Sequence, residues 1–490
     1  MARDDPAGLT GVRQRLVARL RERGTYRRWV LSTALVGMFA TTFPVTILTV
    51  ALPDIADEFG KSDALLTWVI SAPMLASAVA LPVLGKMGDL RGQRKVFLAG
   101  FTLATLVAGV TAFAWSALAL IGLRTITQVI GSATQPTSMA LIMRAFPAEE
   151  RVKAMGWWSL VAAGSPAIGL AVGGPLVDAV GWRVVFAVQA GLAVIPVVVA
   201  TLVLEETPPA HAGARFDIGG ATSIGFGAGG LMLALNQSAD WGWAHPAVVA
   251  GLVVTPIAVA AFVAIERRVE HPLLPLELLG RRNFSATLIA QSFAGATYMG
   301  GFVMTPFLMS GIFGWTTSGI ALLLLIRPLS YSLSSPVGGQ IGSRIGERSG
   351  ALLGNSILAA AMAVFAVGAA TEAVWLIGAA LLTQGLGNGI ARPSLGAVLA
   401  NSVDEADLGI ASATQRMVRL VGNASGIAVL TAVYAGDPTP ESFGVAYLVA
   451  FGLGLVAVAA TARIDGRQAR ADAVTPQPAA QSPADAATTR

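Results

Sequence analysis

Long apolar stretches separated by short polar loops run through most of this chain. A helix needs about 20 predominantly apolar residues to cross a bilayer, and stretches of that length recur from residue 29 to residue 462. They predict fourteen membrane-spanning helices at residues 29–52, 65–84, 96–114, 117–143, 154–177, 184–204, 217–235, 247–266, 284–311, 318–337, 351–370, 374–400, 409–434 and 443–462. The pattern therefore predicts an all-α integral membrane protein.

The distribution of Lys and Arg supports this count. Cytoplasmic loops of membrane proteins carry an excess of these residues, and here they concentrate in every second predicted loop. With the N-terminus inside, the outer loops hold only Lys61 and Arg183. The inner loops hold Lys86, Arg91, Arg94, Lys95, Arg144, Arg151, Lys153, Arg215, Arg267, Arg268, Arg281, Arg282, Arg344 and Arg348. One helix more or fewer would destroy this alternation, so both termini are predicted to be cytoplasmic.

Composition excludes several other classes of protein. The chain has 490 residues, of which 54% are hydrophobic and 12% are charged, and its mean hydropathy is +0.67. Average soluble chains carry about twice that fraction of charge. The net charge of +5 is better explained by membrane topology than by nucleic-acid binding. There is no cysteine, and the three histidines lie far apart in predicted loops, so we expect no metal site and no cofactor.

Polar segments flank the membrane region. Residues 1–28 form a basic cytoplasmic segment that is either a short amphipathic helix on the membrane surface or a disordered tail. Its basic start leads into an apolar stretch that is too long for a cleavable signal peptide. Residues 466–490 are rich in Ala, Pro, Gln and Asp and are predicted to be a disordered cytoplasmic tail.

The loop after the second span combines cations with glycines and a single acid. It is similar to the signature that follows the second helix of the major facilitator superfamily, Gly-x-x-x-Asp-x-x-Gly-Arg-Arg/Lys, although Gln93 and Leu90 depart from the family preference. The resemblance implies a transporter that works by alternating access, with this loop as its cytoplasmic gate. The gating-loop residues would be Gly85, Gly88, Asp89, Gly92, Arg94 and Lys95.

An internal repeat divides the chain. Residues 339–348 align without gaps on residues 85–94, and residues 383–387 echo residues 127–131, at offsets of 254 and 256 residues. Repeats of this kind are common in secondary transporters. They predict two six-helix bundles, at 29–204 and 283–465, joined by a linker at 205–282 that carries two inserted transmembrane helices. This plan resembles the fourteen-helix drug:proton antiporter branch, which implies efflux and multidrug or antibiotic resistance.

The fifth span is rich in small residues. It resembles the antiporter signature Gly-x-x-x-Gly-Pro-x-x-Gly-Gly, with Leu170 in place of the family's Pro. Small residues allow close helix packing, and Pro loosens a helix, so we expect a packing or gating role. The residues concerned are Gly164, Pro166, Gly169, Gly173 and Gly174.

Cations, but no acids, lie near the middle of predicted spans. A buried arginine costs at least about 2.5–3.5 kcal/mol on insertion scales, so these side chains should face the bundle interior. They either cap carbonyls and bond to amide side chains, or they form a positive cavity for an anionic or zwitterionic amphiphile. The candidate cavity residues are Arg124, Gln128, Gln291, Arg327, Gln384, Asn388, Arg392, Arg416 and Arg419.

The residue that would couple transport to an energy source is the next question. The resemblance implies a titratable carboxylate in the cavity, but the sequence offers only Asp54 and Asp89, and a structural role is the favoured interpretation for each. The chain has no phosphate-binding loop for ATP, and no buried Asp pair, His-Glu-x-x-His motif or cysteine that would suggest an enzyme.

The resulting hypothesis is a multi-pass protein of the bacterial cell membrane. It would be a monomer, surrounded by lipid, that exports small amphiphilic compounds with the proton gradient. The alternative is a transporter of an anionic metabolite or lipid with atypical or no proton coupling.

Overall fold

The computed structural model describes residues 9–60, 68–208, 216–270, 272–434 and 439–466, and these contain helices but no strand. The helices are α1 (Leu9–Glu22), α2 (Tyr26–Phe59), α3 (Trp68–Arg91), α4 (Gln93–Thr111), α5 (Ala117–Ser132), α6 (Thr134–Ala145), α7 (Ala148–Val203), α8 (Ile218–Trp241), α9 (Pro246–Glu266), α10 (Leu276–Gly280), α11 (Arg282–Gly311), α12 (Thr317–Leu324), α13 (Ile326–Ile345), α14 (Glu347–Ala370), α15 (Val374–Asn401), α16 (Leu408–Tyr434) and α17 (Pro440–Ala462). A single 3₁₀ turn, Glu405–Asp407, precedes α16.

In the part of the chain that the structure describes, each predicted span coincides with one of these helices or with two consecutive ones, so the all-α membrane fold is confirmed. Within the described residues, ten helical stretches are long and apolar enough to cross a membrane by length and composition. Helices α5 and α6 together cover the fourth predicted span. The fifth and sixth spans are continuous in α7, which has 56 residues and would be about 84 Å long if it were straight. Gly181 breaks it in two, with a φ of 74° that favours glycine.

The helices pair in an order that follows the repeat. In the first half α2 packs on α7, α3 on α5 and α4 on α7; in the second half the equivalent pairs are α11 with α16, α13 with α15 and α14 with α17. Helices α8 and α9 pack on each other, and α8 also contacts α3 and α16. The exact domain boundaries given above stay a prediction.

Small residues let two helices of the second half approach at backbone distance. Gly422 and Gly426 of α16 lie directly against the carbonyl groups of Ser292 and Ala296 of α11, where any Cβ atom would overlap the carbonyl oxygen. This is the spacing that lets membrane helices approach at backbone distance. The contact holds α11 and α16 together beside the candidate cavity.

The N-terminal segment contains a helix, α1, which packs on the end of α7. Val17 and Leu20 are its buried apolar residues, and Arg13 and Arg21 form ion pairs with Glu206 and Glu205 at 3.2 and 2.7 Å. Residues 9–22 are therefore helical and not a disordered tail, and their location on the membrane surface stays a prediction. The predicted C-terminal tail lies almost entirely outside the described residues, as do Lys61, Arg215 and His271.

Candidate functional site

Asp89 joins the two halves of the molecule. It lies in the last turn of α3 and is 1% exposed. Its Oδ1 accepts hydrogen bonds from the Gly409 amide at 2.9 Å and from Gln93 Nε2 at 2.7 Å, and its Oδ2 accepts from the Ile410 amide at 2.8 Å. Gly409 and Ile410 begin α16, where amide groups lack partners within the helix. Asp89 thus caps a helix of the opposite half. We call this contact the latch, and the part of the molecule around it the Asp89 end.

The loop glycines are explained by close approach. A Cβ at Gly85 would lie 2.7 Å from the Gly409 carbonyl oxygen, and Gly88 faces the Gln93 side chain. Gly92 has a φ of 93°, which a residue with a side chain rarely adopts. These three glycines therefore let α3 approach α16 and let the chain turn sharply into α4.

Arg94 and Lys95, the two cations of the predicted gating loop, differ in their surroundings. Arg94 is buried and its Nη2 donates to the Thr201 carbonyl at 2.9 Å, while its backbone amide donates to Thr207 Oγ1 at 3.0 Å. It fastens the loop to the end of α7. Lys95 is exposed, and no ion pair is described for it within the ranges given above.

A second polar connection crosses between the halves at the same end. Arg151 of α7 donates to Asn401 Oδ1 at 2.6 Å, and Asn401 Nδ2 donates to Glu347 Oε1 at 3.0 Å. Nearby, α7 and α13 touch at Gly156, where a Cβ would lie 2.8 Å from the Ser335 carbonyl oxygen. Sequence reasoning missed this connection, although Glu347 lies within the repeat of the Asp89 loop and could have indicated it.

A cavity of about 220 Å³ lies between the halves. Helix α7 lines it from the first half, and α11, α13, α14, α15 and α16 line it from the second. Six of the predicted residues line it, namely Pro166, Gln291, Arg327, Asn388, Arg392 and Arg419. Four lining residues with polar side chains were not predicted, namely Tyr298, Tyr331, Asn355 and Asn423.

Aromatic rings surround two of the cavity arginines. The Arg327 guanidinium donates to the Tyr298 carbonyl at 3.0 Å and lies 4.0 Å from the Tyr298 ring centroid and 3.4 Å from that of Phe302. Arg392 donates to the Tyr331 hydroxyl and lies 5.9 Å from the Trp158 ring centroid. Cation–π contacts are attractive and stronger when desolvated. These two cations are thus held by ring faces and a few hydrogen bonds.

The remaining predicted arginines of the second half adjoin this cavity. Arg392, Arg416 and Arg419 line a smaller space of about 20 Å³ together with Gln291. No Asp or Glu is among the described residues that line either space. Four arginines therefore converge on one region whose described lining residues include no acid.

Three predicted cavity residues are placed differently. Arg124 and Gln128 line a separate space of about 30 Å³ in the first half, where the Arg124 guanidinium lies 5.5 Å from the Phe186 ring centroid. Gln135 borders both this space and the one around Arg416. Gln384 is fully buried and donates to the Tyr298 carbonyl at 3.2 Å, which supports the structural interpretation for this residue.

The small residues of the fifth span fall in the first part of α7. Gly164 faces Ser332 of α13, whose hydroxyl donates to the Leu160 carbonyl at 2.9 Å. Gly169 is buried. The surroundings of Gly173 and Gly174 and the side chain of Asp54 lie outside the described residues.

The family assignment follows from comparison with known proteins. The model of the Major Facilitator Superfamily matches residues 34–307 and 287–488, so the chain belongs to this superfamily, whose members are transporters rather than enzymes. Its curated relatives include the multidrug transporter protein MdtP of Bacillus subtilis, 26% identical over 83% of this chain and 75% of that protein. The tetracenomycin C resistance and export protein of Streptomyces glaucescens is 27% identical over 86% of this chain and 79% of that protein.

Solved structures confirm the fold. The human organic anion transporter MFSD10 superposes with a TM-score of 0.62 at 17% identity, covering 87% of this chain and 99% of that one. The proton:xylose symporter XylE superposes with a TM-score of 0.62 at 13% identity, covering 89% of this chain and 95% of that one.

Proposed function

We propose that this chain exports small amphiphilic compounds, such as drugs, antibiotics or metabolites, across the bacterial cell membrane. The observation that carries the proposal is the 220 Å³ cavity, which is walled by both halves and combines aromatic rings with arginines and amides. Two curated relatives that support export are named for multidrug transport and for tetracenomycin export.

The latch supports a mechanism of alternating access. In this proposal the basic loops, and with them the Asp89 end, face the cytoplasm. The bonds of Asp89 to α16 and the Arg151–Asn401–Glu347 connection would hold the cytoplasmic side closed. Separating the halves at these contacts would open the cavity to the cytoplasm, as rocking-bundle transporters do.

Export would be driven by an ion gradient because the sequence has no ATP-binding loop, and the resemblance to drug:proton antiporters favours protons. Both carboxylate oxygens of Asp89 accept hydrogen bonds in the latch, which favours a structural role for this residue.

Efflux from living cells tests this proposal. Pump-deficient bacteria that express the chain are preloaded with a fluorescent amphiphile, energised and followed with and without a protonophore. We expect efflux faster than in cells with an empty vector, and loss of the difference with the protonophore. Equal efflux in both strains for every amphiphile tried would overturn export, and protonophore-resistant efflux would overturn proton coupling.

The arginines favour a second, narrower candidate, the export of anionic or zwitterionic amphiphiles. Arg327, Arg392 and Arg419 line the cavity, and no Asp or Glu is among the part of its wall that the structure describes. Like charges repel strongly where the dielectric constant is low, so a cationic compound would be disfavoured and an anionic one attracted.

Charge removal distinguishes this candidate from the structural interpretation. Arg392→Ala and Arg416→Ala should each lower anion efflux, whereas Arg268→Ala removes the same charge from an exposed position and should not. If the two cavity variants transport every substrate like the wild type, the positive-cavity hypothesis fails.

A further inference from the structure

A larger cavity, of about 590 Å³, lies at the Asp89 end of the first half, apart from the arginine-rich cavity. Helix α1, the start of α2, the end of α6 and residues 204–207 after α7 surround it. We propose that this cavity binds the phosphate-bearing headgroup of an anionic phospholipid.

Three arginines supply the donors for a phosphate. Arg21 bonds Glu205 through Nη2 at 2.7 Å, Arg27 bonds Glu150 through Nη1 at 3.3 Å, and Arg144 donates to the Glu405 carbonyl through Nη2 at 2.7 Å. Each of these contacts uses one nitrogen of a guanidinium that carries five N–H donors. The buried Nε of Arg144 has no described partner. Arginine donors are thus available in the cavity wall, and arginine suits phosphate recognition well.

The two acids in the wall do not cancel this charge. Glu205 pairs with Arg21, and Glu206 pairs with Arg13 at 3.2 Å and with Arg94 at 3.8 Å. The described wall holds three arginines, Arg21, Arg27 and Arg144, against two glutamates, Glu205 and Glu206. An anion is therefore favoured.

The apolar part of the cavity distinguishes a lipid from free phosphate. Buried Val30, Leu141 and Leu204 form part of the wall, and inorganic phosphate would leave this surface and most of the volume unused. Tyr26 lines the cavity, and Trp29, one turn further along α2, is 45% exposed. Tyr and Trp are enriched where membrane proteins cross the headgroup region. Basic pockets at this level recognise anionic headgroups.

The site also adjoins elements that connect the halves. Arg144 donates to the carbonyl of Glu405, just before α16, and Glu206 contacts Arg94 of the Asp89 loop. A lipid bound to the same arginines would hold α1 against the first half beside the latch.

Lipid binding by the full-length protein tests the proposal. The protein in neutral detergent is titrated with phosphatidylglycerol, with phosphatidylcholine of the same acyl chains, and with inorganic phosphate. Bound lipid is counted by native mass spectrometry, and the unfolding midpoint is followed in parallel. We expect binding and stabilisation by phosphatidylglycerol well above those by phosphatidylcholine, and little effect of millimolar phosphate.

Paired variants locate the site. Arg21→Gln with Arg27→Gln should lower the apparent affinity for phosphatidylglycerol at least about tenfold, because each substitution removes charge-assisted hydrogen bonds to the phosphate. The ion pairs lost are exposed and contribute little to stability, so this variant should fold. Arg267→Gln with Arg268→Gln removes the same charge from exposed positions that do not line the cavity.

Each contrary result has a definite meaning. Equal affinities of the two double variants, or equal responses to the two lipids, would overturn the site. If millimolar inorganic phosphate stabilised the protein as much as phosphatidylglycerol does, the lipid proposal would be wrong and the ligand would be a soluble phosphate compound.

Discussion

Asp89→Asn should shift the protein away from the conformation in which the latch is closed. The asparagine keeps the size of the side chain but offers a single acceptor oxygen, so the amide of either Gly409 or Ile410 loses its partner and faces an NH₂ group. Hydrogen bonds to charged groups contribute about 1.5–3 kcal/mol, and an unpaired buried amide costs about 1–3 kcal/mol. The charge at the start of α16 adds about 0.3–1 kcal/mol. The lost bond and the unpaired amide describe the same loss and count once, so with the charge term the shift is about 2–4 kcal/mol, or about 30- to 700-fold in the equilibrium between closed and open states.

Distance measurements across the Asp89 end would detect this shift. The chain has no cysteine, so spin labels can be attached specifically to cysteines introduced at Lys95 and Arg344, which are exposed on opposite halves. We expect longer and broader distances in Asp89→Asn than in the wild type. Glu277→Gln removes the same charge from an exposed position and should behave like the wild type. An unchanged distance distribution in Asp89→Asn would refute the role of the latch.

Three further outcomes follow from individual contacts. Gly426→Ala should lower the unfolding temperature in a thermal scan because its Cβ would overlap the Ala296 carbonyl, whereas Gly452→Ala, with nothing within 4 Å of its Cβ, should not; equal midpoints would contradict the close packing. Asn401→Ala breaks the Arg151–Asn401–Glu347 connection and should increase solvent access to the Asp89 end, measured by cysteine labelling at Lys95, while unchanged labelling would remove this connection from the gate. Arg327→Gln should raise the half-saturating concentration of an anionic substrate about tenfold or more, the loss expected for one charge-assisted bond; an unchanged value would place Arg327 among structural residues.

The latch at Asp89 was predictable from the sequence only in part. The glycines and the lone acid of the loop marked it as a candidate, and the structure shows Asp89 in contact with the opposite half. Its partners are the amides of Gly409 and Ile410. Backbone amides carry no side-chain signal, so no residue pattern could have indicated the contact 320 residues away.

For the arginines, the sequence predicted their depth in the membrane but not which of them share a cavity. Hydropathy placed them at the depth of the membrane, but which of them converge depends on helix rotation and on the half in which each lies. Arg327, Arg392, Arg416 and Arg419 meet in the second half, while Arg124 lines its own space in the first. Tyr298 and Tyr331 were missed, although the chain has only five tyrosines and these two lie within predicted spans.

The N-terminal helix α1 is stabilised by tertiary contacts that a local sequence pattern does not contain. The basic sequence of residues 1–28 allows either an amphipathic helix or a disordered tail. The ion pairs of α1 with Glu205 and Glu206 come from residues more than 180 positions away, and a local pattern cannot reveal such partners.

The most direct test of the substrate cavity compares two dyes in the same cells. Pump-deficient bacteria expressing the wild-type chain are loaded with an anionic or a cationic fluorescent dye of similar size, and efflux is followed with and without a protonophore. Protonophore-sensitive efflux of the anionic dye, with the cationic dye retained, is the predicted result. Efflux of the cationic dye alone would contradict the positive cavity and would leave the arginines with structural roles.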